Sequence, residues 1–483
     1  MAHKIKNYIG GKWTSAEGVD YIPVEDPASC EILAQCPDSS AKEVDQAVKA
    51  AVAGFDEWRR TPILSRAQYM HHFKNLVEKN FDRISEAVVK ENGKTMDEAR
   101  GEVRRAIESI DFGISTPILM RSDGVEDISS GIDETTIRQP AGVFAAITPF
   151  NFPFMVPLWF LPTAIVCGNT FILKPSPQTP LSTEIMFELL DEIDLPPGVV
   201  NLVNGGVESA NAIMKHPDVT GVSFVGSSKV AKIIYETSTA HGKRVQAQGG
   251  AKNHIAVMPD AEMNSSIKNI LGAAYGCAGQ RCLAAAVAVG VNEAYDQICE
   301  ALQDQASKLV IGYGLNETTQ MGSVISAEAK ERIESMIQQA VDEGATLLLD
   351  GRGINVEGYE SGSFVGPTIL KDVSPSMMIA QEEVFGPVLA IMKADSYEEA
   401  VEIINKSKYG NAASIFTTNG KYARDFKYSV NAGNIGVNIG VAAPSASFPF
   451  GGQKDSFFGD LHGQGMDAIE FYTERKIVIE RWV

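Results

Sequence analysis

The sequence predicts an α/β protein built on mostly parallel, helix-covered sheets. Three observations predict it. Short apolar runs of strand character alternate with helix-length segments from Val143 onward. The chain has 483 residues, enough at about 150 per domain for roughly three domains or two large ones. Its 44% hydrophobic and 21% charged residues are an ordinary globular mix that can supply a large core.

The elements follow in order. Ala41 to Arg100 reads as helices, with apolar residues at helical spacing through Val44, Ala47, Val48 and Ala51 and through Phe73, Leu76 and Val77. Phe171-Ile172-Leu173 is a strand, Pro180 to Ile193 a helix, and Val199 to Val203 a strand. Gly221 to Val225 is a further strand, followed by a helix from Val230 to Thr239. His254 to Val257 then leads to a helix from Met263 to Ala274. A second alternating block runs from Ala284 to about Asn438: Ala286 to Val289 precedes a helix from Tyr295 to Leu309, and Val388 to Ile391 precedes Tyr397 to Ile404. Gly-rich turns near Gly250 and Gly440 suit seams between units. Lys476 to Glu480 reads as an apolar edge strand, a liability unless something pairs with it, which points to an oligomer.

Charge and cysteine content narrow the function. With 42 Lys+Arg against 61 Asp+Glu, the net charge of −19 argues against a nucleic-acid surface. An anionic substrate would need a local positive site. The scattered cysteines Cys30, Cys36, Cys167, Cys277, Cys282 and Cys299 make no disulfide framework, and the first residues lack a signal peptide's apolar stretch, so a reducing, cytoplasmic setting is expected. No residue between Arg138 and Lys174 is charged, yet Pro140, Pro149, Pro153, Pro157 and Pro162 break the run. Hydrocarbon would leave the broken turns unsatisfied, so a buried irregular segment is expected and no membrane span.

Several segments could carry chemistry. No Gly-x-Gly-x-x-Gly follows a strand; Phe224-Val225-Gly226-Ser227-Ser228-Lys229 stands there instead, where a helix N-terminus can bind phosphate or Ser227 can act as a plain N-cap. Cys282 follows a predicted helix in Gly279-Gln280-Arg281-Cys282 and is either a nucleophile helped by Arg281 or a small packed hydrophobe; Cys277 reads as packing. Asn151, in Thr148-Pro149-Phe150-Asn151-Phe152-Pro153, is either an oxyanion donor or a turn residue bonded to its own backbone. Lys174 ends a strand, where ligands of parallel sheets collect, or is a solvated lysine. Glu382-Glu383-Val384-Phe385-Gly386-Pro387 alone reads as a loop. No metal-ligand set is assigned.

In this order, these segments resemble the aldehyde dehydrogenase superfamily, from about Tyr8 to the C-terminus. Asn151 falls in its oxyanion segment, Lys174-Pro175-Ser176 in its adenosine-side segment and Gly226-Ser227 in its phosphate turn. Cys282 matches its nucleophile, and Glu383 with Phe385 its nicotinamide-ribose motif. Within the superfamily, Gly250 to His254, Phe448 to His462 and the ending from Phe471 through Trp482 are most similar to the CoA-acylating methylmalonate-semialdehyde dehydrogenases.

The resemblance implies a Rossmann-like NAD-binding domain over 1–119 and 141–250, an α/β catalytic domain over 251–445, and a small β oligomerisation extension over 120–140 and 463–483. It implies NAD bound by Thr148, Phe150, Lys174, Ser176, Gly226, Ser227, Gln248, Glu383 and Phe385, with Cys282 and Asn151 catalytic. Gln248 stands where hydrolytic members have a Glu that activates water; an amide is no base near neutral pH, so a thiol such as CoA becomes the expected acyl acceptor. The chain departs from the family at Pro177, where a ribose-binding Glu often stands, and at Ala231, where a Gly does. Arg105 matches an Arg of the methylmalonate-semialdehyde branch and, with Arg281, is expected to hold a substrate carboxylate, although Arg104 and Arg105 also suit a solvated helix face. The expected reaction converts methylmalonate or malonate semialdehyde to propionyl-CoA or acetyl-CoA, in a homodimer or homotetramer. The alternatives are a hydrolytic NAD(P)-dependent semialdehyde dehydrogenase and a catalytically silent binding protein of the same fold.

Overall fold

A computed structural model describes residues 3–482. Two large sheets dominate. The first has eight strands in the order Phe457–Gly459, Arg244–Gln248, Val219–Val225, Val143–Ile147, Thr170–Lys174, Val200–Leu202, Asn7–Ile9 and Lys12–Thr14. The strands from Arg244–Gln248 through Val200–Leu202 are parallel, and antiparallel strands from distant parts of the chain close both sides. Val143–Ile147 and Thr170–Lys174 are buried throughout, as continuous apolar runs covered on both faces should be. The chain moves outward from Val143–Ile147, then returns to lay Val219–Val225 on its other side. Strand order therefore reverses there, and such a reversal opens a crevice at the strands' C-terminal ends.

The second sheet has seven strands in the order Thr346–Leu349, Thr368–Lys371, Val388–Ala394, Ala285–Val291, Asn253–Val257, Ala412–Phe416 and Asn434–Val437. All of its pairings are parallel except the edge pair of Thr346–Leu349 with Thr368–Lys371. Gly249 to Lys252 join the last parallel strand of the first sheet to the centre of the second, so the expected seam near Gly250 lies between sheets. The expected helices and strands are present. The helix expected to reach Leu309 spans Ala294–Ala306.

The uncharged stretch resolves into the strand Val143–Ile147, a proline-rich loop, the helix Met155–Val166 and the strand Thr170–Lys174. Every residue of that helix is buried. It packs on the helix Met96–Leu119, where a Cβ on Gly113 would lie 2.5 Å from Pro162 Cβ. Among the described residues no helix is long and apolar enough to cross a membrane.

The terminal strand Thr473–Arg481 pairs antiparallel with Ile132–Pro140, which pairs with Gly124–Ser129. This three-stranded sheet leaves Ile477 68% and Ile479 65% exposed on its outer strand.

Candidate active site

The site forms where strands of the first sheet end and strands of the second begin. The loop after Val143–Ile147 carries Thr148 to Phe154, and two prolines deprive it of backbone donors. Its polar groups are satisfied from elsewhere: Asn92 Nδ2 donates to Phe150 O at 3.0 Å and Lys94 Nζ to Asn151 O at 2.7 Å. Asn151 is buried, and its Nδ2 donates to Gln280 O at 3.0 Å rather than to its own turn. The amide thereby lies against the segment that carries Cys282.

That segment leaves the helix Met263–Tyr275 through a tight turn. Cys277 and Ala278 both have φ of 50° and Gly279 has φ of +71°, three successive left-handed residues. A Cβ on Gly279 would lie 2.1 Å from Gly386 O, so only glycine permits this approach of the two loops. Glu98 accepts from Cys277 N–H at 2.6 Å, while Asn253 and Asn411 donate to Cys282 O at 2.9 and 2.8 Å. Burial pushes the Cys282 thiol up to about 12 and Glu383 adds to this, against the pull of nearby backbone N–H groups and Arg281. Cys282 is thus held as a thiol.

Two cavities meet at Cys282. The smaller, ≈ 460 Å³, is walled by Glu98, Glu102 and Arg105 of the helix Met96–Leu119, by apolar residues such as Trp159 and Phe450, and by Arg281. The larger, ≈ 790 Å³, runs over the crevice of the first sheet. Both are lined by Asn151, Val225 and Cys282.

Eight of the nine residues expected to contact a cofactor, Thr148, Phe150, Lys174, Ser176, Gly226, Ser227, Glu383 and Phe385, line the larger cavity. Lys174 is buried rather than solvated; its Nζ donates to Pro175 O at 2.9 Å and burial pushes it down to about 8. Ser227 occupies the N-cap position of the helix Ser228–Ala240, but its side chain makes no cap hydrogen bond. Phe150 and Phe385 meet edge to face at 5.8 Å. Glu383 accepts from Ala251 N–H at 2.9 Å; burial pushes it up to about 7, against the pull of that N–H, Lys252 and Arg332.

Gln248 is the exception. In the amide orientation that satisfies both neighbours, it donates to Phe224 O at 2.5 Å and accepts from Gly463 N–H at 3.0 Å, and it lines neither cavity. As the buried last residue of its strand it is spent on main-chain groups, so the structure does not bear out its expected cofactor contact.

Arg105 and Arg281 both line the smaller cavity, so Arg105 is not merely a solvated helix residue. Arg281 is partly committed: its Nε donates to Cys277 Sγ at 3.2 Å and it pairs with Glu98 at 3.5 Å. Cys277 is buried as expected, but it is also this partner of Arg281. Arg105 pairs with Glu108 at 2.8 Å and donates to Pro444 O.

These placements can be set beside known proteins. The aldehyde dehydrogenase family profile matches residues 13–478. The chain belongs to the aldehyde dehydrogenase family. The malonate-semialdehyde dehydrogenase of Bacillus pumilus is 46% identical, covering 99% of this chain and 98% of its own. A methylmalonate-semialdehyde dehydrogenase from Oceanimonas doudoroffii is 43% identical with TM-score 0.98, covering 100% of this chain and 99% of its own. A Sinorhizobium meliloti protein named for the same activity and solved with NAD is 40% identical, also with TM-score 0.98 and the same coverage. The two-sheet architecture is therefore the aldehyde dehydrogenase fold.

For this aldehyde dehydrogenase, sequence reasoning missed Lys94, Glu98, Glu102, Asn253 and Asn411. Glu98, Glu102 and Arg105 stand at i, i+4 and i+7 on one helix face, and Thr95 with Glu98 forms a capping box, so spacing held a signal for the helix wall. Asn411 offered none: it precedes a strand far along the chain and reaches Cys282 only through the sheet.

Proposed function

We propose that the chain oxidises malonate or methylmalonate semialdehyde with NAD and transfers the acyl group to CoA. One observation carries this reading: Cys282 and Asn151 stand together where a large glycine-lined cavity meets a smaller one bearing two arginines. The larger cavity fits a dinucleotide. A Cβ on Gly250 would fall 2.3 Å from Glu383 Oε2, the wall there is bare backbone, and a helix N-terminus and Lys174 offer positive ends to phosphate. Thr148, Phe150, Ser176, Gly226 and Ser227 would hold the cofactor with Lys174, and Glu383 and Phe385 would hold its nicotinamide end. When bound, NAD accepts the hydride that leaves the substrate carbon.

The protein's residues do the rest. Cys282 Sγ gives its proton to solvent water and forms a C–S bond to the aldehyde carbon; the carbonyl electron pair moves to oxygen, which Asn151 Nδ2 and the Cys282 N–H receive. Two preorganised donors at a developing oxyanion are worth about 3 kcal/mol or more. Loss of hydride leaves a thioester on Cys282. Arg105, assisted by Arg281, holds the substrate carboxylate. Gln248 has no basic lone pair and is bound to main chain, so it prepares no water for attack. The acyl group on Cys282 loses its carboxyl as CO₂, the electron pair left on the α-carbon taking a proton from solvent. The CoA thiol, giving up its proton, then attacks the thioester carbonyl and displaces Cys282 Sγ, giving acetyl-CoA or propionyl-CoA. The exposed strand Thr473–Arg481 would pair with another copy in a homodimer or homotetramer.

A steady-state assay with both semialdehydes, with and without CoA and with NAD or NADP, tests this. Sustained NADH formation should need CoA, with about one turnover per Cys282 in its absence. Full-rate turnover without CoA overturns acyl transfer in favour of hydrolysis.

A further inference from the structure

Glu102, on the helix Met96–Leu119, lines the smaller cavity and is paired with Lys94, which precedes that helix. Lys94 Nζ lies 2.6 Å from Glu102 Oε2, and both side chains are 0% exposed. Burying two charges costs desolvation that their mutual attraction often fails to recover, so a pair of this kind is weak evidence for stability and calls for another explanation. The remaining contacts supply one. Glu102 Oε1 accepts from Phe154 N–H at 2.9 Å and Met155 N–H at 3.1 Å, capping the buried helix Met155–Val166. Lys94 Nζ also donates to Asn151 O at 2.7 Å and lies 4.2 Å from the centre of the Phe152 ring. The two side chains therefore touch four of the five consecutive positions 151–155 around the oxyanion donor, all except Pro153, which has no N–H to offer.

We propose that the Lys94–Glu102 ion pair is the positioning device of Asn151. It clamps the main chain on both sides of Pro153 so that the Asn151 amide, tethered on its other side to Gln280 O at 3.0 Å, keeps its second N–H directed at the reacting oxygen. Neither residue is a catalytic group; each acts through Asn151. A helix cap alone would be served by a neutral acceptor, whereas the Asn151 carbonyl, lodged among buried residues, needs a donor that reaches it from outside the loop. Lys94 is that donor, and Glu102 is the counter-charge that lets it be buried. The inference rests on the reading of Asn151 as an oxyanion donor.

A double-mutant cycle tests it, with the rate of the first NADH burst as readout. Lys94→Met combined with Glu102→Gln removes both charges, leaves neither ion unpaired and keeps an oxygen for Phe154 and Met155 N–H. It should slow the burst about 10- to 100-fold, within the range for loss of an oxyanion donor, with the NAD dissociation constant changed less than about twofold. In an Asn151→Ala background the same change should cost less than about twofold, because the group it positions is gone. Glu102→Gln alone runs the same cycle if the double variant does not fold. Equal costs in both backgrounds, or no cost with Asn151 present, overturn the positioning role. An unchanged burst in Asn151→Ala itself instead overturns the oxyanion reading and this inference with it.

Discussion

The larger and smaller cavities share Asn151, Val225 and Cys282 and are otherwise built in opposite ways. The larger lies on strand ends and the turns that follow them, joined by faces of the helices Val207–Lys215 and Ser228–Ala240, with glycine backbone in its wall at Gly206, Gly226, Gly249 and Gly250 and few charges: Lys174, Arg332 and Glu383. The smaller has a helix for a wall, aromatic packing opposite, and a dense set of charges in Asp97, Glu98, Glu102, Arg105 and Arg281. Backbone can grip any dinucleotide, so the larger cavity is suited to a common ligand. Side chains on one helix face can be exchanged without disturbing a sheet, so the smaller cavity is the one a few substitutions can most readily reshape. The charges there are not equally available. Glu102 is neutralised by Lys94, Glu98 is shared between Arg281 and Cys277 N–H, and Arg105 is held by Glu108 and Pro444 O.

The sharpest way to break that contrast is Arg105→Ala. A charge-assisted, often bidentate hydrogen bond to a carboxylate is worth about 1.5–3 kcal/mol, so kcat/KM for malonate semialdehyde should fall about 10- to 100-fold. Propanal, which has no carboxylate, should lose little. An equal loss with both aldehydes would show that Arg105 shapes the wall and does not read the substrate charge.

Substituting Lys174→Met probes the other cavity and should have a smaller effect. Loss of one buried cation from a phosphate or ribose contact should raise the KM for NAD about tenfold, with the aldehyde KM unchanged. Pro177 lines the same region and brings no carboxylate, so NADP should be accepted within the same assay and should weaken at least as much as NAD. A change confined to the aldehyde KM would place Lys174 on the wrong side of Cys282.

The same contrast explains what could be read from the chain. Several wall pieces of the larger cavity are short contiguous motifs at strand ends, so Thr148 to Asn151, Lys174 to Ser176 and Gly226 to Ser227 were legible in order, and the alternation of strands and helices placed them together; the helix residues Ala210, Ile233 and Arg332 that complete the wall carry no such mark. The smaller cavity draws on residues 97–105, 151–159, Val225, 281–283 and 441–450, pieces that only tertiary packing joins. Arg105 was found through family likeness and Arg281 through its place beside Cys282. Lys94 and Glu102 were not, because an ion pair eight residues apart spanning a turn and a helix start has no spacing that marks it as buried. Gln248 was placed in the wrong company for a related reason: sequence shows that a residue ends a strand, but not which side of the strand end its amide takes.

The smallest expected effect lies where the cavities join. Glu383 opposes ionisation of Cys282, and Glu383 itself titrates near 7. In the cofactor-free enzyme, alkylation of Cys282 by iodoacetamide follows its thiolate fraction, which rises tenfold per pH unit well below a thiol pKa of about 12. As pH climbs from about 6 to 8, Glu383 becomes negative, raises the thiol pKa and holds the labelling rate back, so the wild-type slope should be less than one logarithm per unit there. Glu383→Gln keeps an oxygen for Ala251 N–H and removes the charge. It should restore the full slope and label about 3- to 10-fold faster at pH 8, a Coulomb effect on the order of 1 kcal/mol, while matching wild type below about pH 6 where the carboxyl is already protonated. Identical slopes in the two proteins would mean that Glu383 and Cys282 do not sense one another, and that the two cavities are electrostatically separate despite their shared wall.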